Sequence, residues 1–476
     1  MSFNKILSAA TEAFKQNFTA MYRNSNDMVG KIDNETFNKM VIALMDAARA
    51  AGVAGLEEYL RENDIATATV TDKDKVYRYK GTSTKEILTL FGTISVTRSM
   101  YYDEKNGGEC FFPLDSALGL EKDDFATLDA REMLLFASSS CVPRELEVLL
   151  KKCSLCRPSR TAIQNIINRD GASMESMRAE IADRVFNNQS SAPEQTKALV
   201  VSLDGVNVLL REAGKKKGRK NRRPTNTPEH AGTTSYHNAM VGSASYYGND
   251  DEDRSLRLRS IYTAWMPQEK STDFKSDFER MVRIAQTKTA ELGTSDIPHI
   301  LLTDGHLMIK GFAAESPLLR PFEKLLDFFH ATEHLAKAAE VMYGEKTDLS
   351  NAYFNKWREK LKTDPDAPAG IWRSLKSFLS RNKLSTKRKK DLTTEITFFR
   401  KNRKLMHYYD FLQRGLPIGS GPIEAAAKTI VRQRMCRSGM SWSCEKGQYI
   451  LTLRAYVQSG LWEETWYQFV KLKKAA

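Results

Sequence analysis

Three carboxylates, each placed by its own structural signal, restrict the fold of this chain more than any other feature. Asp204 follows the apolar run Ala198-Leu-Val-Val-Ser-Leu203, and Asp304 follows His299-Ile-Leu-Leu-Thr303. Glu424 lies just inside a helix opened by Gly419-Ser-Gly-Pro422. Short apolar runs bounded by turn residues read as buried strands, so the first two acids are expected at strand ends. Gly205 and Gly305 directly follow them and are expected to let the backbone turn. Around these points, residues 198–210, 239–246 and 258–265 read as three strands, 273–292 as an amphipathic helix, and 300–303 as a fourth strand. Residues 321–329 read as a transition into a fifth strand.

The flanks of this α/β region differ in period. Residues 1–66 read as helical, with Asp33 or Asn34 able to cap a helix through Phe37–Met45. Residues 67–125 read as a small basic β-unit, with two short strands in 84–102 broken at Phe91-Gly92. Arg78, Lys80, Arg98 and Lys105 project from it, either toward a polyanion or as protection for a sheet edge. Residues 126–192 read as three short helices and a continuation, a pattern that fits a helix-turn-helix. There Ser159, Arg160, Thr161, Gln164 and Asn165 would face a DNA groove, and a plain helical bundle is the alternative. The α/β region is expected in two parts, 196–331 and 416–476, separated by a charged all-helical insertion over 332–415.

Composition narrows the partner. Among 476 residues, 72 Lys and Arg against 59 Asp and Glu leave a net charge of +13, an excess that favours nucleic acid. No apolar run is long enough to cross a bilayer, and the N-terminus does not read as a secretory signal, so a cytoplasmic protein with no membrane partner is expected. Of six cysteines only Cys153 and Cys156 have metal-like spacing, and with no second pair nearby they read as ordinary thiols.

Three oxygen donors suit hard cations, and two Mg²⁺ (or Mn²⁺) ions about 3.5–4 Å apart can activate a nucleophile and stabilise a leaving oxygen in phosphodiester chemistry. Strands at 198–326 in the order three strands, helix, strand, helix, strand resemble a ribonuclease-H-like core. The segment Gly415–Ala427, with Arg432-Gln-Arg434 and Ser438–Trp442, resembles the third-acid region of DDE-type bacterial insertion-sequence transposases. The ISKra type is the nearest named match, with ISLre-type and mutator-like transposases as relatives. Asp204 in Leu-Asp-Gly-Val matches the first acid of that family, Asp304 in Thr-Asp-Gly-His the second and Glu424 the third. Asp327-Phe-Phe-His330 resembles a Cys/Asp-x-x-His motif at the fifth strand, and the tail 453–462 also fits.

The resemblance implies catalysis by Asp204, Asp304 and Glu424 as metal ligands, with His330 orienting DNA or a water, and no organic cofactor. It implies cleavage at the terminal inverted repeats of the element and transfer into target duplex, with a homodimer once two ends are paired. A nuclease without strand transfer, and a domesticated DNA-binding protein without catalysis, are the alternatives. Lys215, Lys216, Lys217, Arg219, Lys220, Arg222 and Arg223 lie between the first two strands and would meet phosphates or form a solvated loop. Arg432, Arg434 and Arg437 would hold a strand near the metals, His306 would donate a hydrogen bond there, and Trp442 would stack on a base or fill the core.

Overall fold

The computed structural model describes residues 2–23, 33–72, 75–103, 108–153, 156–189, 191–211, 234–268, 272–293, 297–419 and 421–475. The chain is mixed α/β, 59% helical, with two sheets among the described residues. It divides into two compact units, Met1–Ala172 with Lys473–Ala476, and Ser173–Leu472. Among the described residues no helix is long and apolar enough to cross a membrane.

In the first unit, α1 (Ser2–Arg23) and α2 (Asn34–Asn63) pack side by side. Asp33 caps α2 by accepting from the Thr36 N–H at 2.7 Å. An antiparallel sheet follows in the order β1 (Thr69–Asp72), β2 (Lys75–Thr89), β3 (Gly92–Tyr102) and β4 (Cys110–Phe111). Leu60 of α2 meets Ile87, Ile94 and Val96 of the sheet in a small core. The expected short strands are instead one long hairpin, because the break at Phe91-Gly92 is its turn. Arg98 does not project as expected. It is buried beside Asp115 and stacks on Phe112, its guanidinium carbon 3.8 Å from the ring centre. Arg78 and Lys80 are exposed, and Lys105 lies outside the described residues.

The unit is completed by α3 (Pro113–Ala117), α4 (Leu128–Ser140), α5 (Pro143–Cys153) and α6 (Arg160–Ser176). Arg131 of α4, fully buried, grips Asp170 of α6 through two bonds at 2.8 and 2.6 Å and reaches Asp124 at 3.1 Å. This fork sets α6 against α4.

The second unit opens with α7 (Arg178–Gln189) and then builds its sheet from β5 (Ala198–Arg211), β6 (Thr234–Asn249), β7 (Ser255–Trp265), β8 (His299–Thr303) and β9 (Glu323–Leu326). The spatial order is β7-β6-β5-β8-β9. The first three strands pair antiparallel; β8 joins β5, and β9 joins β8, in parallel. Parallel pairing requires crossovers, supplied by α8 (Thr272–Ala290) and α9 (Leu307–Glu315). Gly242 of β6 has no side chain because Phe278 of α8 fills that space; a Cβ there would lie 2.4 Å from the ring.

Helices α10 (Phe328–Tyr343), α11 (Asp348–Thr363), α12 (Ala367–Arg381), α13 (Thr386–Asn402) and α14 (Tyr408–Gln413) occupy the segment expected as a helical insertion. They share a core with Val200, Ile300, Leu302 and Leu326, and therefore cover one face of the sheet. The chain then returns through α15 (Gly421–Ala426), a π-helical turn over Ala427–Arg432, α16 (Gln433–Met435), α17 (Cys444–Gln458) and α18 (Trp462–Ala475).

Asp204 is not at a strand end, as its sequence context led us to expect. β5 continues to Arg211, because its outer half is paired with β6 on one side and bridged at Leu210 to Trp442 on the other. Backbone groups satisfied on both edges keep the strand extended. Gly205 accordingly stays in the ladder, whereas Gly305 does turn, with φ of 83°.

Candidate active site

Strand register places the two aspartates. β5 and β8 run parallel with Ser202 opposite Leu302, and Asp204 and Asp304 each lie two residues further on. Side chains alternate along a strand, so both acids share the side of Val200 and Ile300, facing the helical segment. Beyond Thr303 the chain turns: the Thr303 hydroxyl accepts from the Gly305 N–H at 3.0 Å, and the Asp304 carboxylate from the His306 N–H at 2.8 Å. Asp204 accepts from the N–H of Gly205 at 2.7 Å.

Glu424 comes from α15 and is exposed. Its approach to the sheet is fixed at both ends. Upstream, the Phe328 N–H donates to the Ile418 carbonyl at 3.0 Å, and Gly419 lies so close under Phe329 that a Cβ would come within 2.6 Å of the ring. Downstream, the Trp442 N–H donates to Leu209 O at 2.9 Å and the Arg211 N–H to Trp442 O at 2.8 Å.

The acids share one electrostatic environment. Burial raises the pKa of Asp204, and the carboxylates of Asp304 and Glu424 raise it further; the Gly205 N–H and Arg432 oppose them. Negative charge at Asp204 is therefore under-compensated, and the donors are carboxylate oxygens, the set that hard divalent cations take. Among the described residues no three His, Cys, Asp or Glu side chains close into a single metal-binding cluster. The donor chemistry thus fits divalent cations.

His330, on α10, lies within electrostatic reach of Asp304. Burial lowers its pKa and His334 adds to the effect; Asp304, Glu333 and Asp327 act in the opposite direction. The imidazole is thereby biased to its neutral form. Asp327 caps α10 by accepting from the His330 N–H at 2.6 Å, which explains an acid at that position. His334 is committed elsewhere: it bonds Glu395 at 2.6 Å and stacks on Phe398 with ring centres 3.5 Å apart.

Two residues at this site went unnoticed in the sequence. Lys310 of α9 donates to the Asn402 side chain at the end of α13. Its pKa is lowered by burial and by Lys401, against an upward pull from Asp304. Lys310 follows Asp304 by less than two helical turns, a proximity that is readable in hindsight; Asn402 arrives from a distant helix and has no local signature.

Of the arginines expected to hold DNA, Arg432 is exposed and acts on Asp204. Arg434 is not available as expected. It is 2% exposed, with its guanidinium 5.1 Å over the Trp442 ring. Trp442 in turn donates its indole N–H to Met435 O at 2.9 Å, so the pair supports the segment from inside. Gln164 is half-buried and donates to Asn168 at 3.1 Å, which turns it along α6, while Arg160, Thr161 and Asn165 remain exposed. Lys215, Lys216, Lys217, Arg219, Lys220, Arg222 and Arg223 lie outside the described residues. Cys156 is buried and its pKa is pushed up to about 11 by that burial, a poor state for reactivity or metal binding.

The π-helical turn after Glu424 has its own support. Such turns leave the normal carbonyl ladder, and buried Arg454 of α17 donates to the carbonyls of Ile430, at 2.7 Å, and Thr429. Arg454→Leu removes these donors, and we expect a loss of about 2–4 kcal/mol, read as a lower urea midpoint at unchanged slope. An unchanged midpoint would show that the turn does not depend on Arg454.

No family model and no curated protein matches this chain. Among solved structures it is similar to a Drosophila P element transposase strand transfer complex, at 11% identity, with 73% of this chain and 82% of that chain covered and a TM-score of 0.24. A likeness that low leaves fold family and activity to be argued from the residues.

Proposed function

We propose that this chain is a DDE-type DNA transposase with a ribonuclease-H-like core, which binds the terminal inverted repeats of its own element. Asp204, Asp304 and Glu424 would hold two Mg²⁺ or Mn²⁺ ions for strand cleavage and transfer. The observation that carries this reading is the matched strand level of Asp204 and Asp304, with Glu424 near enough to act on Asp204 electrostatically. Asp204 within β5 and Asp304 directly after β8 each lie two residues beyond the paired Ser202 and Leu302, and the third acid, from a later helix, acts on Asp204. The strand order β7-β6-β5-β8-β9, antiparallel on one side of β5 and parallel on the other, supports the same core.

Divalent cations, when bound, would supply Lewis-acid stabilisation and an activated oxygen nucleophile. The chain supplies the rest. Asp204 and Asp304, oriented by the N–H groups of Gly205 and His306, would present their oxygens to the cations, and Glu424 would complete the set from α15. Arg432, exposed and acting on Asp204, would hold a phosphate beside these acids. His330, biased to neutral, can accept a proton or orient a water beside Asp304. A net charge of +13 favours the polyanionic substrate.

The test is strand transfer. A duplex carrying the element's end with a free 3′-hydroxyl, incubated with target plasmid and Mg²⁺ or Mn²⁺, is expected to yield joined products. Hydrolysed fragments alone would point to a nuclease, and binding without any cutting to a non-catalytic DNA-binding protein. Matching inverted repeats flanking the gene would support the transposase independently.

A further inference from the structure

We infer that the outward face of α13 is a second nucleic-acid surface, a track for one sugar-phosphate strand that leads into the acid site. This rests on the function proposed above and adds a surface to it. At 100° per residue, Leu392, Glu395, Phe399 and Asn402 fall together on the buried side of this helix. Thr386, Lys389, Lys390, Thr393, Thr397, Arg400 and Lys401 fall on the opposite arc. That arc carries four cations and no carboxylate, and its N-terminal part lines an open groove. Arg388 points the other way, donating to the Val341 carbonyl at 2.9 and 2.6 Å, so it anchors the helix and leaves the face to the others.

The residues between the cations suit a close-lying strand. Thr393 and Thr397 donate their hydroxyls back to the carbonyls of Lys389 and Thr393, at 2.7 and 2.8 Å. What they present outward is small and uncharged, a floor over which a phosphate backbone can pass while lysines reach it from the sides. From Lys389 to Lys401 the helix rises about 18 Å, about five phosphate steps along one B-form strand. Its far end is already at the site: Lys401 acts on Lys310, which bonds Asn402 and feels Asp304. A strand following the cations is delivered to the acids. Such contacts add affinity without reading sequence.

Binding measured in EDTA separates this surface from the chemistry. The full chain is titrated with a fluorescent duplex of arbitrary sequence over a range of KCl, as wild type, K389Q/K390Q and D304N. A control, K356Q/K360Q on α11, removes the same charge from another helix. K389Q/K390Q is expected to bind more weakly and to lower the slope of log affinity against log salt by up to about 1.8, or 0.9 per lost phosphate contact. The control and D304N are expected to keep the wild-type slope. An unchanged slope in K389Q/K390Q, or an equal fall in the control, overturns the track while leaving the proposed function standing. If wild type binds anionic phosphatidylserine vesicles but no duplex, both are overturned.

Discussion

Asp204→Asn, Asp304→Asn and Glu424→Gln are each expected to cut metal-dependent nicking by on the order of a thousandfold or more. A cation held at a reacting phosphate contributes several kcal/mol to transition-state stabilisation, and each 1.4 kcal/mol, roughly, is tenfold in rate. The stability of these variants carries a second, independent sign. The Asp204 carboxyl has its pKa raised by burial and by its neighbours' charge, so its ionised form opposes folding. That cost is absent at low pH and grows as pH rises through the folded-state pKa. Asp204→Asn should therefore match or exceed the wild-type melting temperature without metal. With Mg²⁺ or Mn²⁺ it should lose the increment that wild type gains by mass action, about 2.7 kcal/mol at a hundred times Kd. A variant that still nicked at the wild-type rate would remove that residue from the site. A variant that melted earlier in the absence of metal would show Asp204 to be a structural group.

The largest effect on stability is expected from Arg131→Leu in the first unit. Burial alone would lower the pKa of this guanidinium, yet Asp170 and Asp124 more than offset it. Removing it takes from Asp170 and Asp124, both fully buried, the guanidinium that bridges them and leaves Arg169 as their remaining cation, at a cost of about 3–5 kcal/mol. All six tryptophans lie at or beyond Trp265, so their fluorescence follows the second unit. Circular dichroism follows helices in both. Arg131→Leu is expected to shift the circular dichroism transition to lower denaturant ahead of the tryptophan signal. Coincident transitions in wild type and variant alike would mean that the two units unfold as one.

The sequence carried much of the second unit. Runs such as Ala198–Leu203 and His299–Thr303 are short, apolar and bounded, and they form β5 and β8 close to the expected positions. Local periodicity sufficed there because burial on both faces leaves a strand few alternatives. A cap at Asp33 or Asn34 and a helical stretch over 332–415 were legible for the same reason, each depending on neighbours within a turn or two, although α10 begins earlier, at Phe328. Boundaries were less secure. β6 and β7 extend beyond their apolar centres because pairing with a long partner carries polar residues into the ladder.

What the sequence determined by itself is the inventory: two aspartates directly after buried apolar runs, a glutamate at a helix start, an excess of positive charge, and the order of elements between them. Only the tertiary structure decided their use. It put Asp204 in mid-strand because Trp442 bridges the other edge, and it buried Arg98 and Arg434 against aromatic rings while leaving Arg432 exposed. It joined Lys310 to Asn402 within electrostatic reach of Asp304 and Lys401. The reason is physical: periodicity states which side of an element is buried, but contacts between residues distant in sequence state what lies opposite. A guanidinium reads the same in sequence whether that neighbour is water, a phosphate or an indole.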